Sequence, residues 1–310
     1  MIKKLYFLAL IPALVFSAGC GDKKMNRDVN VIIISGQSNA VGCKANINLI
    51  DSMGQEKYNE YKAGYEDIKI AYSNWTCAWD DPARPMSLQN SSKGGAFVKV
   101  ELGQGNNKDN FGPEVGIAEE LHEKWGNKLY IIKIASGASN LNDDWAQTTD
   151  FMYKKMVEFV DGRMKSLSDE GLNPILRAFC WMQGEGDAFA NYYDFYYDNL
   201  VRFKEHLDKD FSHYTEDGTL PFIDAGIGDG DGHWQYYKEV NECKVDFANL
   251  KPTNIYIDTI AEGLHTTQEA PDHDHYDSDS QIKLGHLFAQ NFEQFLKWKT
   301  KRARNELNPI

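Results

Sequence analysis

The sequence predicts a three-layer α/β/α sandwich around a mainly parallel sheet of about five or six strands, flavodoxin-like in order. Three observations carry this expectation. Short apolar runs alternate along the chain with stretches whose apolar residues recur every three or four positions, the pattern of βαβ units. No internal repeat or long linker interrupts the alternation. The 310 residues are 42% hydrophobic and 13% aromatic, which suits one large domain with a sizeable core. The expected division is a leader over 1–19, a tether over 20–28, the main domain over 29–301 and a tail over 302–310.

The leader comes first. Lys3 and Lys4 precede an apolar stretch over 5–16, too short for a permanent membrane span and suited to an export signal. It closes with Ser17-Ala18-Gly19-Cys20, which resembles a bacterial lipobox whose cysteine receives lipid, although Ser17 stands where leucine is usual. Lipid attachment at Cys20 is expected, with ordinary cleavage near Ala18 as the alternative; both imply an exported protein, and the lipid makes a membrane anchor. The polar run over 21–28 reads as the tether.

Strands are expected at 29–35, 68–72, 129–135, 175–182, 221–226 and 255–260. The helical stretches between them include 113–125, 151–167, 191–207 and 280–298. Residues 74–111 break the pattern. They carry Trp75, Trp79, Pro82, Pro85 and several Gly and Asn without periodicity, and read as a long loop over the carboxyl edge of the sheet.

Charge excludes one class of partner. A net charge of −13, with no basic cluster before 297–304, repels phosphate backbones, so nucleic acid is not expected. Of the five cysteines, Cys180 lies in an apolar strand and reads as a buried thiol, while a Cys43–Cys77 bridge between loops is possible in an exported chain.

The chemistry is concentrated where predicted strands end. Gly36-Gln37-Ser38-Asn39 follows the first strand directly, and a serine at a sharp strand-to-helix turn presents its hydroxyl at the carboxyl edge of a sheet. Ala135-Ser136-Gly137 ends the third strand, where a glycine lets the backbone approach a ligand and its N–H can donate to a developing oxyanion. Gln183, after the fourth strand, offers a neutral side-chain donor for the same oxyanion. Glu185 is a second carboxylate there, able to serve structurally by bonding loop amides. Near the C-terminus Asp272 precedes His275 by three residues, a spacing at which a tight turn sets the carboxylate against Nδ1 and frees Nε2 to face a serine. His265, His273 and Asp274 are rivals for these roles, and His273 and His275 with Asp272, Asp274 and Asp277 are an alternative metal cluster. The run Asp229-Gly230-Asp231-Gly232 lacks the downstream glutamate of a calcium loop and reads as a turn.

These pieces resemble the SGNH hydrolase superfamily, in its sialate O-acetylesterase-like branch containing the acetylxylan esterases of carbohydrate esterase family six. The matching segments are GQSNAVG at 36–42, FGPEVG at 111–116, SGAS at 136–139, WMQGEGDA at 181–188 and DHDHYDSDSQIKLG at 272–285, in family order. The chain departs at Ala40, at Gly184-Glu185-Gly186 and at Ser136-Gly137-Ala138-Ser139, where many members have Met, GES and Gly-Gly-Thr-Ser. The resemblance implies Ser38 as nucleophile, His275 as base and Asp272 as its orienting partner. It implies an oxyanion hole from the Ser38 and Gly137 amides and the Gln183 side chain, with no metal or organic cofactor. The expected substrate is an O-acetylated carbohydrate, with Trp75, Trp79, Trp145 and Trp234 as candidates for stacking on sugar. An acyltransferase or lipid or thioester hydrolase with the same triad, and a non-catalytic glycan-binding lipoprotein, are the alternatives.

Overall fold

A computed structural model describes residues 27–189, 191–266, 272 and 274–307. The leader, Cys20, most of the tether and His273 lie outside the described residues.

The main sheet is set by one strand. In β1 (Asp28–Gly36) every residue after Asp28 is buried, as expected of an apolar run covered on both faces. The further strands are β2 (Lys44–Ala45), β3 (Tyr65–Cys77), β4 (Met86–Ser91), β5 (Val98–Val100), β6 (Asn110–Phe111), β7 (Leu129–Gly137), β8 (Asn173–Met182), β9 (Phe222–Ala225) and β10 (Asn254–Ile257). The sheet runs β10-β9-β8-β1-β7-β3-β4, with β5 also on β3, giving eight strands among the described residues. All six strands expected from sequence are present and mutually parallel.

Two details differ from expectation. The segment 74–111 is not a bare loop: β4 and β5 fold back antiparallel on β3, while β2 and β6 form a separate two-stranded ladder. Strand β4 is polar and largely exposed, so its sequence (MSLQNS) shows no buried run to detect. In strand order, β7 lies between β1 and β3, whereas the flavodoxin-like order sets the second strand beside the first. The antiparallel additions cover the outer edge of β3.

The helices are α1 (Ser38–Val41), α2 (Asn48–Met53), α3 (Gln55–Ala63), α4 (Glu114–Trp125), α5 (Leu141–Asp144), α6 (Phe151–Asp169), α7 (Glu185–Phe189), α8 (Tyr193–Phe211), α9 (Tyr237–Asn249) and α10 (Ser278–Leu307). They form two contacting groups, α2, α3, α4 and α10 against α5 to α9, as a three-layer sandwich requires. Helix α9 escaped the sequence pattern because its buried stripe is Val240, Lys244 and Phe247, and Lys244 is buried in an ion pair with Asp224 of β9. Helix α10 continues to Leu307, so the stretch expected as a tail from 302 is helical to that residue.

Helices α4 and α10 cross at backbone contact. A Cβ on Gly116 would stand 2.1 Å from the Ile282 carbonyl oxygen, and one on Gly285 2.2 Å from that of Pro113. The glycines of two motif segments therefore serve packing, and they fix the start of α10 just after His275. The four described cysteines are free thiols. Cys43 Sγ donates to the Ser38 carbonyl and Cys77 Sγ to that of Arg84, so the bridge considered from sequence is not formed.

Candidate active site

The carboxyl edge of the sheet gathers the residues singled out by sequence. Gly36 pairs with Ala135 of β7 and Met182 of β8, which brings Ser38, Gly137 and Gln183 to one edge. The turn after β1 admits only glycine: Gly36 has φ +137°, and a Cβ there would lie 1.9 Å from the Met182 carbonyl oxygen. The chain then enters α1 at Ser38, which is 9% exposed. The Ser38 hydroxyl and its backbone N–H have no hydrogen-bond partner among the described residues.

The C-terminal loop sets His275 against Asp272. His275 Nδ1 lies 2.8 Å from Asp272 Oδ2, while Asp272 Oδ1 accepts the backbone N–H groups of Asp274 (3.0 Å) and His275 (3.2 Å). This is the tight turn that the three-residue spacing predicts. The loop is fastened beside Ser38 through Asn39: its Oδ1 accepts from Tyr276 N–H at 3.1 Å, and its carbonyl from Gln281 Nε2 at 2.6 Å. Tyr276 also donates to the Gly226 carbonyl at the end of β9. With Nδ1 on Asp272, Nε2 of His275 is the ring nitrogen without a partner among the described residues.

One partner of this dyad was not visible in the sequence. Lys44, buried in β2, donates to Asp272 Oδ2 at 3.2 Å across 228 positions of chain. Half-burial alone would raise the Asp272 carboxyl. His275, Lys44 and the Asp274 N–H outweigh it and hold the group ionised, well below the usual carboxylate range. Of the described rivals, Asp274 pairs with His233 at 3.1 Å, and His265 is held in the loop by backbone bonds to Ser280 and Asp277. Among the described residues no group of three or more His, Cys, Asp or Glu could hold a metal.

The oxyanion donors need one correction. Gln183 is fully buried, and its Nε2 donates to Gln37 Oε1 (3.1 Å) and Asp187 Oδ2 (2.6 Å) while Oε1 accepts from Tyr196. Both amide protons are committed inside the protein, so Gln183 does not face an oxyanion. The residue it holds is Gln37. Gln37 Oε1 accepts from Gln183, from Gly184 N–H at 3.3 Å and from Gly186 N–H at 3.1 Å, which fixes the amide's orientation. Its Nε2 then points away from them with no partner among the described residues, although Gln37 is only 2% exposed and precedes Ser38. A donor so placed is preorganised for negative charge developing beside the serine. Gly137 ends β7 partly exposed, with Ala138 turning the chain at φ +56°. Glu185 is buried, and its Oε1 accepts from Asn39 Nδ2 at 2.7 Å.

Asp187 carries an unusual burden. Burial lifts its carboxyl to about 7 against the opposing bonds from Leu141 N–H and Gln183, and Oδ1 has no partner. A raised native pKa stabilises the fold fully below about pH 4, and that contribution is lost as pH rises through about 7. Asp187→Asn keeps an acceptor for both donors, so its melting temperature should fall less than wild type between about pH 5 and about pH 8. Thermal melts at the two pH values check this, and an equal fall in both proteins would refute it.

The tryptophans divide. Trp145 is fully buried, packs edge-on against Trp181 and donates to Ser139 Oγ at 2.9 Å, so it cannot stack on a sugar. Trp75 is half-buried, donates to Ser73 Oγ and packs on Phe151 of α6, where it lines a cavity of about 300 Å³. Trp79 and Trp234 remain at the surface beside the site.

An α/β/α sandwich with a serine turn, a His–Asp pair and preorganised donors at its carboxyl edge defines an SGNH-type ester hydrolase. Residues 28–294 match the family model described as carbohydrate esterase, sialic acid-specific acetylesterase, and the chain belongs to that family. It is a carboxylic ester hydrolase that removes acetyl groups from carbohydrate. Solved structures of similar fold include NanS (TM-score 0.60, 15% identity, covering 87% of this chain and 98% of that one). A protein of Arabidopsis thaliana gives a TM-score of 0.58 at 19% identity over 86% of this chain and 98% of that one. A carbohydrate acetylesterase from Xanthomonas citri gives 0.55 at 15% identity over 84% of this chain and 54% of that one. A search of curated protein sequences finds no significant match.

Proposed function

We propose that Ser38 is the nucleophile of this acetylesterase, with His275 as general base, Asp272 as its orienting partner, and an oxyanion hole made by the Ser38 and Gly137 amides and the Gln37 side chain. The observation that carries the proposal is the 2.8 Å contact of His275 Nδ1 with Asp272, on a loop whose next residue is bonded to the residue after Ser38. Nδ1–H donating to the carboxylate fixes the tautomer and leaves Nε2 to accept.

In the first half-reaction Ser38 Oγ gives its proton to His275 Nε2 and attacks the acetyl carbonyl carbon. The carbonyl oxygen becomes the oxyanion held by the three donors. Collapse breaks the bond to the sugar oxygen, which takes the proton from His275 and leaves as a hydroxyl. Water, deprotonated by the same nitrogen, then attacks the acetyl-serine; collapse breaks the bond to Ser38 Oγ, which takes the proton back from His275, and releases acetate. Asp272 stays ionised throughout, kept so by Lys44 and the imidazolium.

Gln37 gives the test that separates this oxyanion hole from one built on Gln183. Gln37→Glu keeps an oxygen for the Gly184, Gly186 and Gln183 donors but turns a carboxylate oxygen toward the developing charge. It should stay folded and lose kcat by at least about two to three orders of magnitude, with KM little altered. Steady-state acetate release and a thermal melt measure both; a folded variant with wild-type kcat would remove Gln37 from the hole.

The proposal also has the enzyme exported and anchored through lipid on Cys20, on the strength of Lys3, Lys4, the apolar stretch and the Ser-Ala-Gly-Cys ending. Membrane fractionation of wild type and Cys20→Ala tests it: equal solubility would rule the anchor out.

A further inference from the structure

We propose that Trp79, Phe189, His233 and Trp234 form a stacking platform for neutral pyranose residues flanking the acetylated sugar, an inference that rests on the esterase reading of the Ser38 site. These rings come from three separate segments, the turn after β3, the end of α7 and the turn after β9, yet they make one continuous ridge. Trp79 and Phe189 lie edge-on at 6.2 Å, Phe189 and His233 at 5.0 Å, and His233 and Trp234 at 4.6 Å between ring centroids. Trp79 is 62% and Phe189 45% exposed. A surface that leaves such rings in water beside an active site needs an occupant, and ring faces match the C–H faces of pyranoses.

The ridge is built in place. Trp234 lies over Gly230, where a Cβ would stand 2.3 Å from the indole, and the turn is closed by His233 N–H to Gly230 and Trp234 N–H to Asp229 carbonyls. It is also joined to the catalytic machinery. His233 Nδ1 pairs with Asp274 Oδ1 at 3.1 Å and Trp234 Nε1 donates to the Asp274 carbonyl at 3.4 Å, one residue from His275. Tyr236 N–H donates to the Ala188 carbonyl in α7, the helix whose Gly186 orients Gln37. A sugar stacked here belongs to the same substrate as an acetyl group at Ser38.

Charge selects the kind of sugar. Asp80 and Asp81 flank Trp79, Asp229 and Asp231 flank Trp234, and all four are exposed. The nearby guanidinium of Arg84 is bound to Asp144 at 2.6 Å and lies 3.8 Å from Asp143. A sialic acid would bring its own carboxylate against this acidic rim, whereas a neutral chain offers hydroxyls that carboxylates accept from.

The test compares kcat/KM of wild type and of the Trp79→Ala/Phe189→Ala double variant, on acetylated xylo-oligosaccharide, O-acetylated sialic acid and p-nitrophenyl acetate. Both positions are surface rings, and a thermal melt confirms folding. Wild type should prefer the xylo-oligosaccharide to the sialic acid by about tenfold or more. The variant should lose about tenfold on the oligosaccharide, mainly through KM, and at least about fivefold less on the chromogenic ester. Equal losses on both esters, no loss on the oligosaccharide, or a preference for sialic acid overturns the platform while the esterase stands. Failure to release acetate from any glycan overturns the proposed function and the platform together.

Discussion

Ser38→Ala should reduce turnover of acetyl esters by about four to six orders of magnitude and leave the fold intact. The structure supports both halves of that expectation. The hydroxyl makes no hydrogen bond with any described residue, so its loss leaves no buried group unpaired. The turn that presents it is fixed by Gly36, by Gln37 N–H on the Met182 carbonyl and by Asn39, none of which the substitution touches. Residual activity would come from the amides and Gln37, which still favour a tetrahedral oxyanion attacked directly by water. Initial rates on p-nitrophenyl acetate and a matched melting curve check the result; near-normal turnover in the folded variant would refute the mechanism.

His275→Ala should be as severe, because it removes the proposed acceptor of the Ser38 proton, and Asp272, held well below the usual carboxylate range by His275 and Lys44, is a weak base. Asp272→Asn should cost about four orders of magnitude. Asp272 Oδ2 accepts from His275 Nδ1 and Lys44 while Oδ1 accepts the Asp274 and His275 N–H groups, and an asparagine has one oxygen for the two sets; with that oxygen on the backbone its NH2 faces the imidazole, which loses the bond that fixes its tautomer. His265→Ala should be mild, since its structural bonds use the backbone. The same rate assays order the four variants, and a mild His275→Ala would show that the proton goes elsewhere.

Much of this was legible in the sequence because local patterns carried it. The buried parallel strands announce themselves as apolar runs, and the strand-end motifs sit where a parallel sheet collects its sites. Asp272 and His275 could be paired because a three-residue turn is a local device. What escaped is long-range or polar. Lys44 reaches Asp272 across a distance in sequence that no motif spans, and α9 buries a lysine where a stripe of apolar residues would reveal a helix. The error over Gln183 has the same origin. Its strand-end position suits a donor, but the position does not say that Gln37 and Asp187 take its protons and leave the Gln37 Nε2 as the amide without a partner among the described residues. Phe189, whose ring lies against Trp79, belongs to no pattern that the sequence displays.

The most direct measurement of the central claim is the site of covalent labelling. Treatment with a p-nitrophenyl organophosphate, followed by digestion and peptide mass analysis, should place a single phosphoryl group on the peptide containing Ser38, at a rate lowered strongly by His275→Ala and Gln37→Glu. A label on another serine, or one on Ser38 whose rate ignores both substitutions, would contradict the account.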